Sequence, residues 1–294
     1  MEEHIIFIFL DGVGLGDPGE KNPLVHDSMP FIREQVGGDL LKGRDLRRPR
    51  LLLKGIDATL DVRGIPQSAT GQTSLFTGQN AAKILGYHLP AFPNEPLIEV
   101  INECSILKRV IDKGGTATFA NAYTENYFKR VEQGTLSYSA TTLCVLAAQL
   151  PFRFMPDLMR GEAVYWDVTN KHLFQNEVAG VSLVSPYLAG RRLSRLGLRY
   201  NLILFESFLP DLIGHRKNVA QAVEILNTLD LFIRGACENK EDHVSVLITS
   251  DHGNIEDLST GAHTLNKVPL LVLGPLAERM VDVASITEVA EKVV

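Results

Sequence analysis

The chain has 294 residues, 45% of them hydrophobic and 22% charged, with a formal net charge of −6. That length and composition describe a globular protein with a sizeable core and exclude disordered, collagen-like and low-complexity chains. The acidic balance argues against a general binder of nucleic acid or of anionic membranes.

In chain order, the acidic start Met1-Glu2-Glu3-His4 lacks the positive charge of a signal peptide, and the apolar run Ile5–Leu10 stops at Asp11. No stretch approaches the ~18 apolar residues of a membrane span, so a cytoplasmic protein without membrane contact is expected. Arg33–Lys54 carries seven basic and three acidic residues and reads as a solvated basic loop. Gly64–Gly78 reads as a turn followed by a helix. Ser105 is placed to cap a helix over Ile106–Lys113, closed by Gly114-Gly115. From about Tyr123 to Val184 the pattern is irregular, with Pro151, Pro156 and aromatic residues at Phe152, Phe154 and Trp166. Residues 123–184 are therefore expected to form a small lid within one domain spanning 1–294, with these aromatics as its packing. Ser185-Pro186 opens a helix that Gly197 closes. Val219, Ala222, Leu226, Leu229 and Ile233 form the apolar stripe of a longer helix, and Ser285 caps a terminal helix through Val294.

Between the helices lie the short runs Ile5–Leu10, Thr116–Ala120, Asn201–Phe205, Val244–Thr249 and Val268–Leu273, each apolar on both faces, as buried parallel strands are. Alternating strands and helices predict an α/β three-layer sandwich with a mainly parallel central sheet. Cys104, Cys144 and Cys237 are odd in number and far apart, which fits reduced thiols rather than a disulfide framework.

Chemistry in such sheets collects at the carboxyl ends of the strands. Ile5–Leu10 runs into Asp11-Gly12, Asn201–Phe205 leads to Asp211 and His215, Val244–Thr249 ends in Ser250-Asp251-His252-Gly253-Asn254, and His263 precedes Val268. Three carboxylates and three imidazoles at one edge require cations to offset their repulsion. Six ligands exceed the need of one catalytic ion with an open position, so two divalent ions, Zn²⁺ or Mn²⁺, are expected. A hydroxyl at the start of the Gly64–Gly78 helix, beside such ions, is a candidate nucleophile. Ser68, Thr70, Thr73 and Ser74 all offer one. His4, His26, His172 and His243 read as surface or loop residues, and His88 as a packed loop residue.

The ordered set Asp11-Gly12, Ser68, Asp211-x-x-x-His215, Asp251-His252-Gly253 and His263 resembles the alkaline phosphatase superfamily. Ser250–Asn254 followed by Ala262-His263-Thr264-x-Asn266-x-Val268-Pro269-Leu270 most resembles its cofactor-independent phosphoglycerate mutase and phosphopentomutase branch. The resemblance implies two metals, one held by Asp211, His215 and His263, the other by Asp11, Asp251 and His252. It implies Ser68 as the nucleophile that bridges to the phosphoryl group, because Gly71 and Thr77-Gly78 follow at the family's spacing, with Thr70 in reserve. The implied activity is metal-dependent phosphoryl transfer on a small phosphorylated substrate. A phosphomonoester hydrolase acting through phosphoserine is expected first, because the lid is small, and a mutase or phosphodiesterase second. A sulfatase is disfavoured by serine at position 68. A metal-binding protein without turnover is disfavoured by the complete ligand set. Arg63, Lys83, Asn121 and the Arg33–Lys54 patch are candidate anion contacts.

Overall fold

The computed structural model describes residues 3–294. Nine strands follow one another: β1 His4–Leu10, β2 Leu46–Arg48, β3 Leu51–Ile56, β4 Ala117–Phe119, β5 Ala122–Tyr123, β6 Arg153–Phe154, β7 Leu202–Ser207, β8 Val244–Thr249 and β9 Val268–Leu273. Seven of them form one sheet in the order β2-β3-β9-β8-β1-β7-β4. β1 lies between β7 and β8 and runs parallel to both, and β4 runs parallel to β7.

The sheet's burial follows from the sequence. β1 has no polar residue from Ile5 to Leu10, and its alternate side chains enter two cores. Phe7 and Phe9 pack with Phe76, Leu107 and Leu143 on one face. Ile6 and Ile8 pack with Leu193, Leu226 and Phe232 on the other. The first face is covered by the helices Ser68–Thr77, Glu95–Cys104, Ile106–Asp112 and Ala140–Ala147, the second by Pro30–Val36, Pro186–Gly197 and Val219–Glu238. This is the expected three-layer sandwich. The helices Pro186–Gly197 and Val219–Glu238 approach closely because Gly190 and Gly235 sit at their crossing. A Cβ on Gly190 would lie 2.0 Å from the Phe232 carbonyl oxygen.

Several expectations require correction. β9 pairs antiparallel with both β8 and β3, so the both-faces-apolar pattern reported its burial and not its direction. Arg33–Lys54 is not a loop throughout, because β2 and most of β3 fall within it and form an antiparallel edge. Its charges are spent locally: Arg33 pairs with Asp27 and Asp39, Arg47 with Glu278, and Lys54 donates to the Val281 carbonyl. Ser105 occupies the N-cap position without a side-chain cap bond. Ser285 caps a 3-10 turn, Ile286–Glu288, that precedes the last short helix, Val289–Val293.

The 123–184 segment divides. Its helix Ala140–Ala147 packs into the main core through Leu143 and Cys144. Tyr123, Tyr138, Leu150 and Phe152 pack against the same core, while Leu158, Ala163, Tyr165 and Leu173 build a satellite core with Ala122 beside the two-stranded β5–β6 sheet. Among the described residues, no helix is long and apolar enough to cross a membrane.

Candidate metal centre

Parallel strands deliver their following loops to one edge, and that edge holds the polar cluster. Asp11 follows β1 directly, and its backbone N–H donates to the Ser207 carbonyl at the end of β7. Gly12 (φ 74°) lets the chain turn sharply there, and a Cβ would meet Asp211 Cβ at 2.7 Å, so glycine is required for this approach. Asp211 stands in the short helix Leu209–Gly214 with His215 as its C-cap, so one turn sets both on the same face. Asp251 and His252 follow β8 and are fully buried. The antiparallel course of β9 brings His263 to this edge: the loop preceding an antiparallel strand lies where its neighbour's loop leaves.

The cluster is tight. His252 Nε2 lies 3.3 Å from Asp11 Oδ1 and 3.5 Å from Asp251 Oδ2. His263 Nε2 lies 3.3 Å from Asp211 Oδ1, and His215 Nε2 lies 3.2 Å from its Oδ2. The His252 and His263 rings stack at 3.7 Å. Among the described residues, two ligand groups are close enough to grip an ion: Asp11, Asp251 and His252, and Asp211, His252 and His263. The first is the set expected from the sequence. In the second, buried His252 stands where His215 was expected, while His215, 44% exposed, reaches only the outer oxygen of Asp211.

The donor chemistry fits divalent cations. His215 Nδ1 bonds to the Gly261 carbonyl at 2.7 Å and His263 Nδ1 to the Pro66 carbonyl at 2.9 Å. A ring whose Nδ1–H donates to a carbonyl presents the Nε2 lone pair, the form that ligates metal. Asp11 Oδ1, Asp251 Oδ2 and His252 Nδ1 are buried without a hydrogen-bond partner, a costly arrangement unless something else satisfies the first two. Burial, reinforced by Asp251, Asp211 and Glu206, holds Asp11 well above the usual carboxylate range. Burial, then the Asp211 charge, lifts Asp251 to about 7. Burial, then His263, pushes His252 down to about 3. Asp211 runs the other way, because His263, His252 and His215 together outweigh its burial and lower it. Burial works against the charge of His263 too, but its bonds to Asp211 and to the Pro66 carbonyl hold it above the usual imidazole range. Carboxyls thus crowd this edge around a buried neutral His252, a ligand set that a cation would balance.

Ser68 is the first residue of the Ser68–Thr77 helix, and its Oγ lies 3.1 Å from His252 Nε2. The rival hydroxyls turn back on the helix. Thr70 donates to the Gln67 carbonyl, Thr73 to Ala69 and Ser74 to Thr70. Gly71 permits the helix to press against the ligand loop, since a Cβ there would lie 2.8 Å from the Asp251 carbonyl oxygen. His88 bonds the Val62 carbonyl as a packed loop residue, and Lys83 pairs with Asp61. Of the candidate anion contacts only Asn121 lines the cavity beside Ser68.

Sequence reasoning missed the residues that hold the ligand loops. Glu256, 1% exposed, accepts from the backbone N–H groups of Gly14 and Asn254 and from the Thr264 and Asn266 side chains. It ties the loops after β1 and β8 to the one before β9. Asn254 donates to Asp211 at 2.8 Å and Gln72 to Asp11 at 3.2 Å. The available signal was a carboxylate two residues beyond the ligand loop, between Ile255 and Asp257 and just before Leu258.

The sequence profile of the Metalloenzyme superfamily matches residues 188–293, the stretch carrying five of the six ligand candidates. The alkaline phosphatase of the Antarctic bacterium TAB5 superposes on 100% of this chain and 98% of its own, with a TM-score of 0.55 at 12% identity. A Pyrococcus horikoshii protein superposes on 93% of this chain and 86% of its own, with a TM-score of 0.58 at 14% identity. The fold is thus alkaline phosphatase-like, and the part of the chain that carries most of the cluster is similar to the Metalloenzyme superfamily.

Its sequence is also similar to 2,3-bisphosphoglycerate-independent phosphoglycerate mutases. It is 38% identical to that of Prochlorococcus marinus over 84 residues, 26% of this chain and 15% of the relative. It is 30% identical to that of Mycoplasma pneumoniae over 99 residues, 31% and 20% of the two chains. With the Synechocystis relative the match is 25% over 197 residues, 63% of this chain and 32% of the other. The matched stretches thus span about a third or less of these relatives' lengths.

Proposed function

We propose that this chain is a metal-dependent phosphoryl-transfer enzyme that hydrolyses a small phosphomonoester through a phosphoserine at Ser68. The observation that carries this reading is the placement of Ser68 Oγ, at a helix N-terminus and 3.1 Å from His252 Nε2, within the convergence of Asp11, Asp211, Asp251 and His263.

Two divalent ions, Zn²⁺ or Mn²⁺, would withdraw charge from the phosphoryl oxygens and favour the serine alkoxide when bound. Asp11, Asp251 and His252 would hold one, and Asp211, His263 and His215 the other, with His252 within reach of both. The chain's own contribution is position. The helix N-terminus offers N–H groups and a favourable dipole to the anionic oxygen of Ser68. Ser68 Oγ attacks phosphorus, the bond to the alcohol oxygen breaks, and the alcohol leaves with a proton from water. A water oxygen then attacks phosphorus, the bond to Oγ breaks, and inorganic phosphate departs. Water has access, since Asp211 and His215 side chains are 19% and 44% exposed beneath a small lid formed by the satellite core. Glu256 and the carbonyls of Gly261 and Pro66 keep the ligand loops and rings in register.

A mutase is the second reading, favoured by the names of the sequence relatives. It requires the dephosphorylated alcohol to stay in the cavity and take the phosphoryl group back on another oxygen. The deciding experiment incubates Mn²⁺- or Zn²⁺-loaded protein with p-nitrophenyl phosphate, its diester and 3-phosphoglycerate. Hydrolysis predicts metal-dependent release of phosphate, phosphate trapped on Ser68, and a loss of about 10³-fold or more in Ser68→Ala. Isomerisation of 3-phosphoglycerate without phosphate release selects the mutase. Absence of any product from protein with both metals bound refutes phosphoryl transfer altogether.

A further inference from the structure

A cavity of 520 Å³ opens from Ser68 and Asp11 and extends under the lid. Its far wall is aromatic. Trp166 lies flat on Phe208, with ring centroids 4.2 Å apart and planes 21° from parallel. Phe208 is 37% exposed and immediately precedes the helix that carries Asp211, so this face begins beside the metal end. The sequence pattern had assigned Trp166 to lid packing with Phe152 and Phe154. Those two pack against Phe128, and Trp166 packs against the satellite core as expected while also fronting the cavity. Tyr123 and Tyr127 turn their hydroxyls aside onto Thr142, at 2.7 and 3.0 Å, which leaves their rings as wall.

Polar side chains share the lining with this aromatic face. Arg130, exposed at the rim, is the one Lys or Arg of the lining. Glu206, at the end of β7, has Oε2 bonded by Thr141 at 2.6 Å. Its backbone is clamped on both sides by the Asn121 amide, and its other carboxylate oxygen remains an acceptor at the cavity wall. A three-carbon acid or a bare sugar would fill a fraction of this volume and leave the aromatic face without a partner. A flat ring gains from stacking on a flat aromatic face, and an N–H or O–H on that ring matches the carboxylate.

We propose that the alcohol part of the substrate carries a planar aromatic ring that lies along the Trp166–Phe208 face and donates a hydrogen bond to Glu206. The substrate class is a phosphomonoester of nucleoside-monophosphate type. The proposal rests on the phosphoryl-transfer reading of Ser68, but its binding half can be measured without turnover.

Trp166 is the chain's sole tryptophan, so its fluorescence reports this face alone. Adenosine titrated into metal-free protein is expected to quench it saturably, while ribose leaves it unchanged. Phe208→Ala is expected to weaken adenosine binding at least about tenfold, with circular dichroism confirming the fold. In metal-loaded protein, adenosine 5′-monophosphate and ribose 5-phosphate share the same leaving oxygen and differ by the ring. The expected kcat/KM ratio is at least about tenfold in favour of the nucleotide, falling toward one in Phe208→Ala and in Trp166→Leu. Absence of saturable quenching by adenosine at millimolar concentration, or a wild-type ratio near one, overturns the proposal. Saturable quenching with no phosphate released from either compound upholds the ring site and refutes phosphoryl transfer instead.

Discussion

Replacing Asp251 by asparagine is expected to stabilise the protein without metal and destabilise it with metal. Asp251 is fully buried beside Asp11 and faces the Asp211 charge, and burial followed by that charge lifts its carboxyl from 3.8 to about 7. Between those two pH values the native state binds a proton that the unfolded chain does not. Stability of the metal-free protein therefore falls as pH rises from about 4 to about 7. Above pH 7 the ionised form stands about 4 kcal/mol uphill, at 1.36 kcal/mol for each tenfold step. Asparagine keeps the shape and removes the charge, so in a chelator at pH 8 Asp251→Asn should gain up to about 4 kcal/mol, or about 6 °C in melting temperature for a chain of this size. Mn²⁺ or Zn²⁺ at a hundred times its dissociation constant stabilises wild type by about 2.7 kcal/mol per site, and the variant forfeits this at the site it forms. Urea unfolding at pH 5 and pH 8, with and without metal, reads all four corners. The reasoning is refuted if the variant is less stable than wild type in chelator at pH 8, or if metal stabilises both proteins equally.

Glu206→Gln tests the cavity carboxyl by the same linkage: burial holds Glu206 at about 7 against 4.5. The variant should gain about 3 kcal/mol at pH 8 and nothing at pH 4; equal stability changes at the two pH values would contradict this. Glu256→Ala strands four donors around a residue that is 1% exposed. It should cost about 4 kcal/mol or more and weaken metal binding measured by calorimetry, whereas an unshifted melting curve would remove Glu256 from its organising role. Gly190→Ala places a Cβ 2.0 Å from the Phe232 carbonyl oxygen and 2.7 Å from the Ala236 nitrogen. Neither backbone atom can step aside without parting the helices, so a loss of about 3 kcal/mol is expected, and denaturant unfolding within 1 kcal/mol of wild type would refute the close crossing.

The two-sided apolar runs determined a great deal, because a strand buried on both faces needs helices on both faces, and that fixes the layered class. The ligand candidates were legible because loops after parallel strands share an edge, so Asp11, Asp211 and Asp251 converge whatever the helices do between them. His263 shows the limit. Its convergence depends on β9 running against β8, and burial patterning carries no information about direction; only the observed pairing of Val246 with Leu273 and Ile248 with Leu271 decides it. Arg33–Lys54 reads as a loop for a related reason: β2, within it, is an edge strand whose exposed arginines make it look solvated.

Chemistry-bearing residue types and their order are therefore properties of the sequence, since local spacing and strand patterning place them on an edge. Which atoms meet is a property of the packed structure. The turning of Ser68 toward His252 while Thr70 bonds its own helix, the seat of His252 between two carboxylate groups, the Glu256 tie and the Trp166–Phe208 wall all join residues far apart in the chain. Their contacts exist only because two cores close on the sheet and force those loops into one volume.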